Sequence, residues 1–248
     1  MGDDVGQYLF ATGGYEEAEV TDFLRWAERE RPATTFPHAV EVGANVGSTS
    51  ILIGEAGYEL IAVEPVKRTF DLLSRNVHDN HLDGRIRCVR AAVVDREGFV
   101  HMVQSKGLGL SELATDGGGY GFDRWGFGQS GTEQVAGRRI EALLADHGID
   151  PGDVAFVWSD VQGAEQGVID SGHGLWAAGV PLWLEVWPYA IARHGGLPAF
   201  LDSVESHFRR FATPGELGDG GRPIRQFREF VARLGEISDT DVLLQSAP

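Results

Sequence analysis

Helical and strand periodicities take turns along most of the chain. Residues 15–30 place Ala18, Phe23, Trp26 and Ala27 on one side of a 3.6-residue repeat with glutamates between them, which predicts an amphipathic helix. It reads as an N-terminal cap, 1–37, over the sheet or its pocket. Pro32 and Pro37 punctuate the approach to a first apolar strand at 38–42. The pattern then predicts helix 48–56, strand 60–64, helix 67–80 and strand 85–90. A pair of edge strands follows at 91–94 and 99–103, joined by the turn Asp95-Arg96-Glu97-Gly98. Further along come helix 138–147, strand 154–159, helix 164–171, strand 182–187, helix 197–207, strand 208–212 and a last strand at 242–245. Strands alternating with helices predict an α/β fold, a mostly parallel central sheet with helices on both faces. With no internal repeat and one continuous series, 1–248 reads as a single domain.

Residues 104–137 break this rhythm. They are rich in glycine and carry Tyr120, Phe122, Trp125 and Phe127. A long segment of this kind is either a flap that closes on a ligand or a disordered insertion. Residues 214–223, glycine-rich without aromatics, read as a plain surface loop.

Candidate chemistry begins where the first strand meets the first glycine turn. Glu41-Val42-Gly43-Ala44-Asn45-Val46-Gly47 joins a strand to a helix start, an arrangement that makes a nucleotide-cofactor pocket. Gly43 lets the chain turn and Gly47 lets backbone approach a ligand. Glu64 closes the second strand 21 residues after Gly43, the spacing expected of an acid that binds ribose hydroxyls. Asn45 stands where a dinucleotide fingerprint needs its second glycine. Glu41, two residues before Gly43, suits a cationic ligand better than a diphosphate. S-adenosylmethionine, with an ammonium, a sulfonium and a ribose, meets both conditions. Asp160, after the apolar run 154–158, lies on the same carboxyl-end rim. It can hold the cofactor's cationic end, anchor a substrate hydroxyl, take its proton, or cap the next helix. Glu185, inside Leu182–Trp187, is either a second site carboxylate or half of a buried pair with an arginine. His78 and His81 have a possible ligand spacing but no acidic third partner nearby. His173, His194 and His207 read as ordinary.

Composition narrows the partners. A net charge of −16 argues against gripping nucleic acid through its phosphates or docking on anionic membrane. The single cysteine, Cys88, excludes an internal disulfide and reads as a buried core thiol. No run approaches the 18 apolar residues of a membrane span, and the first residues lack a signal peptide's basic and apolar regions, so a cytoplasmic protein is expected. Homo-oligomerisation has no support either way.

Four blocks, in order, carry a family likeness: Glu41–Gly47; Val63-Glu64-Pro65 with Phe70, Leu73, Asn76 and Asn80 after it; Ala92–Asp95 with Glu97-Gly98; and Asp160-Val161-Gln162-Gly163-Ala164-Glu165 with Glu185-Val186 downstream. Over roughly 38–190 the chain resembles the FkbM family of S-adenosylmethionine-dependent methyltransferases, within the class I Rossmann-like group. It departs at Gln162, where the family usually has an acid, at Trp158-Ser159, where it has a lysine-isoleucine pair, and in the length of 104–137. The resemblance implies a class I methyltransferase fold, the backbone near Ala92 bordering the adenine, and methylation in natural-product or polysaccharide pathways. Together the readings point to O-methylation of a small-molecule or glycoside hydroxyl. Glu41, Gly43, Asn45, Gly47, Glu64, Ala92 and Asp160 are expected at the cofactor, with Asp160 first and Glu185 second for the chemistry. A magnesium-assisted reaction on Asp160 and Glu185, a nicotinamide oxidoreductase and a non-catalytic cofactor-binding module stay open at this stage.

Overall fold

The computed structural model describes residues 17–105, 111–114, 129–235 and 238–246. In chain order the elements that build the site begin with α1 (Glu17–Glu30), β1 (His38–Val42), α2 (Ser48–Glu55), β2 (Glu59–Val63), α3 (Lys67–Asp79) and β3 (Ile86–Val89). Next are the short β4 (Ala92–Val93), β5 (Gly98–Ser105), β6 (Ser111–Leu113), β7 (Gln129–Arg138) and α4 (Ile140–Asp146). The second half holds β8 (Val154–Ser159), α5 (Glu165–Ser171), α6 (His173–Ala177), β9 (Leu182–Val186), α7 (Pro188–Arg193) and α8 (Leu197–His207). It ends with β10 (Arg210–Ala212), β11 (Arg222–Pro223), α9 (Phe227–Leu234) and β12 (Thr240–Gln245).

The main sheet has eight strands in the order β11-β10-β12-β9-β8-β1-β2-β3. The five from β9 to β3 run parallel, and β12 joins β9 antiparallel. The order reverses at β1, between β2 and β8, which opens the crevice that α/β sheets use for ligands. Strand alternation sorts the core onto two faces. Val40, Val42, Val157, Leu182 and Leu184 pack on one, and Ala39, Phe156, Trp158 and Trp183 on the other. On the second face α1 inserts Phe23 edge-on against Phe156 (centroids 4.8 Å apart) and Trp158 (5.2 Å), while Trp158 and Trp183 stack at 5.1 Å. Phe23, Phe156 and Trp183 are fully buried, so their packing ties α1 to the middle of the sheet.

Five expectations change. The strands at 91–94 and 99–103 do not pair with each other: β4 runs parallel to β7 and β5 antiparallel to it, in a second sheet ordered β4-β7-β5-β6. Gly137 makes room, since a Cβ there would lie 2.8 Å from Val94 Cγ2 and 3.3 Å from Val100 Cγ1. The segment 104–137 is therefore not irregular throughout, because β6 and the long β7 belong to it; Tyr120, Phe122, Trp125 and Phe127 lie outside the described residues. Helix 138–147 contracts to Ile140–Asp146 because Arg138 still belongs to β7. Residues 214–223 hold a short 3₁₀ turn, capped reciprocally by Thr213 and Glu216, and the edge strand β11. Cys88 is half-buried, at the edge strand β3, and not a core thiol. Among the described residues no helix is long and apolar enough to cross a membrane.

Candidate active site

The site grows from the end of β1. Gly43 adopts φ +88°, and its N–H and that of Ala44 both donate to Val63 O, at 2.9 and 3.0 Å. The turn after β8 crosses it closely: Asp160 N–H donates to Val42 O at 3.0 Å, and a Cβ on Gly43 would lie 1.8 Å from Asp160 O. Glycine is thus needed for the approach of two loops as well as for the turn. Gly47, at φ +91°, does a different job from the one its spacing suggests. A Cβ there would lie 2.7 Å from Leu73 Cδ1, so it lets α3 pack against the turn. Asn76 donates from Nδ2 to Val46 O at 2.8 Å and holds the same turn from α3. Asn80 does cap α3, its Nδ2 donating to Asn76 O at 2.8 Å.

Glu64 leaves β2 into a buried position. Its Oε1 accepts from Val66 N (2.9 Å) and Thr69 Oγ1 (2.6 Å), and its Oε2 from Asn45 N (3.0 Å). A carboxylate has about four acceptor sites. Three are used, and the one left, on Oε2, suits a single hydroxyl donor. Close by, Asn45 Oδ1 is buried with no hydrogen-bond partner among the described residues. Burial raises Glu64 to about 7 although its three hydrogen bonds pull the other way.

One cavity joins these groups. Gly43, Asn45, Glu64, Ala92 and Asp160 all line it, so five of the residues singled out by sequence meet there. Glu41, Gly47 and Glu185 are not among its lining residues. Strand alternation puts Glu41 on the Ala39 face, where Ser50 Oγ of α2 donates to its carboxylate. Burial there drives it up to about 8. Glu185 lies one layer behind the wall. The arginine partner that was its rival reading is not found: among the described residues no Arg or Lys pairs with it. It shares the amide of Gln162 with Asp160 instead, Nε2 donating to Asp160 Oδ1 at 2.6 Å and to Glu185 Oε2 at 3.1 Å. Burial, then the charges of Asp160 and Glu165, push Glu185 up to about 11, and burial raises Asp160 as well. Asp160 does not cap the following helix; α5 begins at Glu165, whose N-cap Ala164 receives no side-chain bond.

Sequence reasoning missed Met102, Ser111 and Leu113, which bring the second sheet over the cavity, and Thr69 beside Glu64. The first three are signalled only by pairing between distant strands, while Thr69 follows Glu64 in the first turn of α3. The histidines stand elsewhere. His194 places its ring nitrogens 3.0 Å from the carbonyls of Ala190 and Leu113, and His173 meets His207 at 3.0 Å on the surface.

The methyltransferase FkbM domain family matches residues 41–187, more than half of the chain. The chain belongs to the FkbM methyltransferase family. Its cofactor is S-adenosylmethionine. No curated protein matches the chain. Solved structures similar to it include an O-methyltransferase from Bacillus cereus in complex with SAH (10% identity over 99% of this chain and 89% of that one, TM-score 0.45). Magnesium protoporphyrin IX methyltransferase from Synechocystis PCC 6803 with bound SAM matches at 9% identity over 93% and 79%, with TM-score 0.45. Precorrin-6y C5,15-methyltransferase from Geobacter metallireducens GS-15 matches at 11% identity over 79% and 73%, with TM-score 0.44.

The cavity fits this cofactor. Among the described residues it offers the spare acceptor site of Glu64 and the unpartnered Asn45 Oδ1 to a ligand that brings hydroxyl donors. The family sets the nicotinamide alternative aside. In a folded Glu64→Ala variant, affinity for S-adenosylmethionine should fall by about 1.5–3 kcal/mol, on the order of 10- to 150-fold, by calorimetry. Unchanged affinity would remove Glu64 from the ribose.

The raised acids also set a pH dependence. Glu41, Glu64 and Glu165 stand at about 8, 7 and 7 against an ordinary 4.5. Each keeps its proton in the folded chain at a pH where the unfolded chain has released it. Their stabilisation is complete below pH 4.5 and is lost as pH rises through 7 to 8. The melting temperature of the cofactor-free protein should therefore fall between pH 5 and pH 8.5; a rise across that interval would contradict the assignment of buried, protonated acids.

Proposed function

We propose that the chain, as one methyltransferase domain, methylates a hydroxyl oxygen of a small molecule or glycoside, with Asp160 as the proton acceptor and Glu185 as its partner. The observation that carries this reading is the carboxyl of Asp160 in the wall that Glu64 and Asn45 also line. It lies on the carboxyl-end rim of the parallel strands, where an acceptor can meet the cofactor.

S-adenosylmethionine would supply a methyl group activated by its sulfonium. The chain's own task is to bind, align and exclude water. Glu64 and Asn45 hold the ribose and methionine side through the acceptors described above, and Ala92 borders the adenine. Asp160 orients the hydroxyl and takes its proton on Oδ2, since Gln162 occupies Oδ1. A positioned base adds roughly 10²- to 10⁴-fold, and alignment can add more.

The test is transfer of labelled methyl to a panel of sugar, polyketide, lipid and peptide hydroxyls, with the product's C–O bond identified by NMR. Methyl on carbon or nitrogen would overturn the O-methyl reading, and cofactor binding without transfer to any member would favour a non-catalytic module. Among the described residues no group of three His, Cys, Asp or Glu is placed to hold a metal ion. Turnover should accordingly survive dialysis against a chelator, and a loss restored by Mg²⁺ would move the reading to metal-assisted transfer.

A further inference from the structure

Asp160 and Glu185 form a partly buried acidic pair, bridged by an amide and, among the described residues, by no Lys or Arg. Glu185 feels the charges of Asp160, Glu165, Asp239 and Asp241, and Asp160 that of Asp239. Two neighbouring carboxyls in such surroundings do not both ionise, and the pair titrates as a unit. The group between them is the side-chain amide of Gln162, 2.6 Å from Asp160 Oδ1 and 3.1 Å from Glu185 Oε2. An amide nitrogen donates two hydrogens and accepts none. Both contacted oxygens are therefore acceptors, and a proton on the pair must sit on an outer oxygen, Asp160 Oδ2 or Glu185 Oε1. The two acids are not equivalent. Asp160 lines the cavity that receives a cationic cofactor, while Glu185 stands behind it among further carboxylates.

The backbone is arranged for this contact. Gln162 sits at φ +54°, in the left-handed region, followed by Gly163 at φ +107°. A residue other than Gly, Asn or Asp is uncommon there, so the turn holds Gln162 against its backbone preference. A Cβ on Gly163 would lie 2.6 Å from Ala190 O, so the start of α7 fixes the turn from outside. The strained turn delivers the amide to the gap between the ends of β8 and β9.

We propose that Gln162 is a positioning residue of the transfer reaction: its amide clamps the pair so that Asp160 stays ionised toward the acceptor while Glu185 holds the one shared proton on Oε1. This rests on the reading of Asp160 as proton acceptor. Without the clamp, Asp160 loses a donor to its charged form and competes with Glu185 for the proton. Were the amide reversed, its oxygen would face both acids and each would need a proton to donate.

The test is carboxyl ¹³C NMR of protein labelled in Asp and Glu, saturated with S-adenosylhomocysteine and titrated from pH 5 to 9. Asp160→Asn and Glu185→Gln assign the two signals. In the wild type, Asp160 should show the carboxylate shift at pH 7.5 and Glu185 the carboxylic-acid shift. In Gln162→Met the Asp160 midpoint should rise by about one pH unit or more. Gln162→Glu, nearly isosteric, should move the midpoint upward by adding a third carboxyl, and it decides the matter if the Met variant does not fold. Unchanged midpoints in the folded variants would overturn the proposal, as would two protonated acids in the wild type up to pH 8. Failure of S-adenosylhomocysteine to bind the wild type would instead sink the cofactor site, and the same titration of the free protein would still decide the clamp.

Discussion

Asp160→Asn should lower turnover by roughly 100-fold or more at saturating cofactor, with cofactor affinity nearly unchanged. The variant keeps the size of the side chain and an oxygen for the Gln162 amide, 2.6 Å away in the wild type. It also keeps both backbone contacts of residue 160, the N–H to Val42 O and the carbonyl against Gly43, because neither involves the side chain. What it removes is a basic oxygen in the cavity wall. The measurement is methyl transfer to whichever hydroxyl acceptor the panel identifies, alongside calorimetry with S-adenosylmethionine. If affinity falls and turnover at saturation survives, Asp160 holds the cofactor's cationic end. If neither changes and only the melting temperature drops, its role is structural. Glu185→Gln separates the partners: it keeps a polar group beside Gln162 but cannot hold a shared proton. It should mainly alter the pH profile of turnover.

The second large effect is expected at Gly43→Ala. The added Cβ would lie 1.8 Å from Asp160 O and 2.9 Å from its carbonyl carbon, both backbone atoms. The residue would also have to hold φ +88°. Overpacking costs about 1–3 kcal/mol and the left-handed backbone about 1–2 more. For a chain of this size each kcal/mol moves the melting temperature by about 2–4 °C, so a drop on the order of 5–15 °C is expected. Relief requires the turn after β8 to move away, which displaces Asp160 from the cavity. Turnover should therefore fall even at temperatures where the variant is folded. Calorimetric melting with the transfer assay checks both, and a variant that melts with the wild type would show that the two loops do not meet as described. Gly47→Ala makes a useful contrast, since its Cβ would press on the flexible end of Leu73 and disturb the core before the site.

The parallel strands were legible in the sequence because each is a short apolar run bounded by turn residues, a signal that needs only neighbours. The run 154–159 is buried at every position, and Asp160 follows it directly at the rim. Gly43 and Glu64 were legible for a related reason. The αβ turn and the length of one αβ unit set their spacing, so both reach the cavity. Five clustered residues and the family likeness rest on this local grammar.

Other features depended on which distant segments met. Periodicity shows that β4 and β5 are strands but not that β7 lies between them; that followed from the small residue Gly137 opposite Val94 and Val100. The lining by Met102, Ser111 and Leu113 came with that pairing. Glu41 looked like a ligand because of its place before the glycine turn, yet the alternation of β1 and the arrival of α2 turned it onto Ser50. Gly47 looked like a ligand approach and became a packing contact with Leu73, for the same reason of an arriving helix. Glu185 kept two readings until the structure put an amide, not a guanidinium, beside it. By itself the sequence determined the strands, the turns and which acids stand near strand ends, since backbone sterics and hydrophobic period act over a few residues. Only the tertiary structure decided which of those acids share a cavity, which share an amide and which are spent on the core. Burial and hydrogen-bond partnership belong to the assembled sheet, not to any one segment.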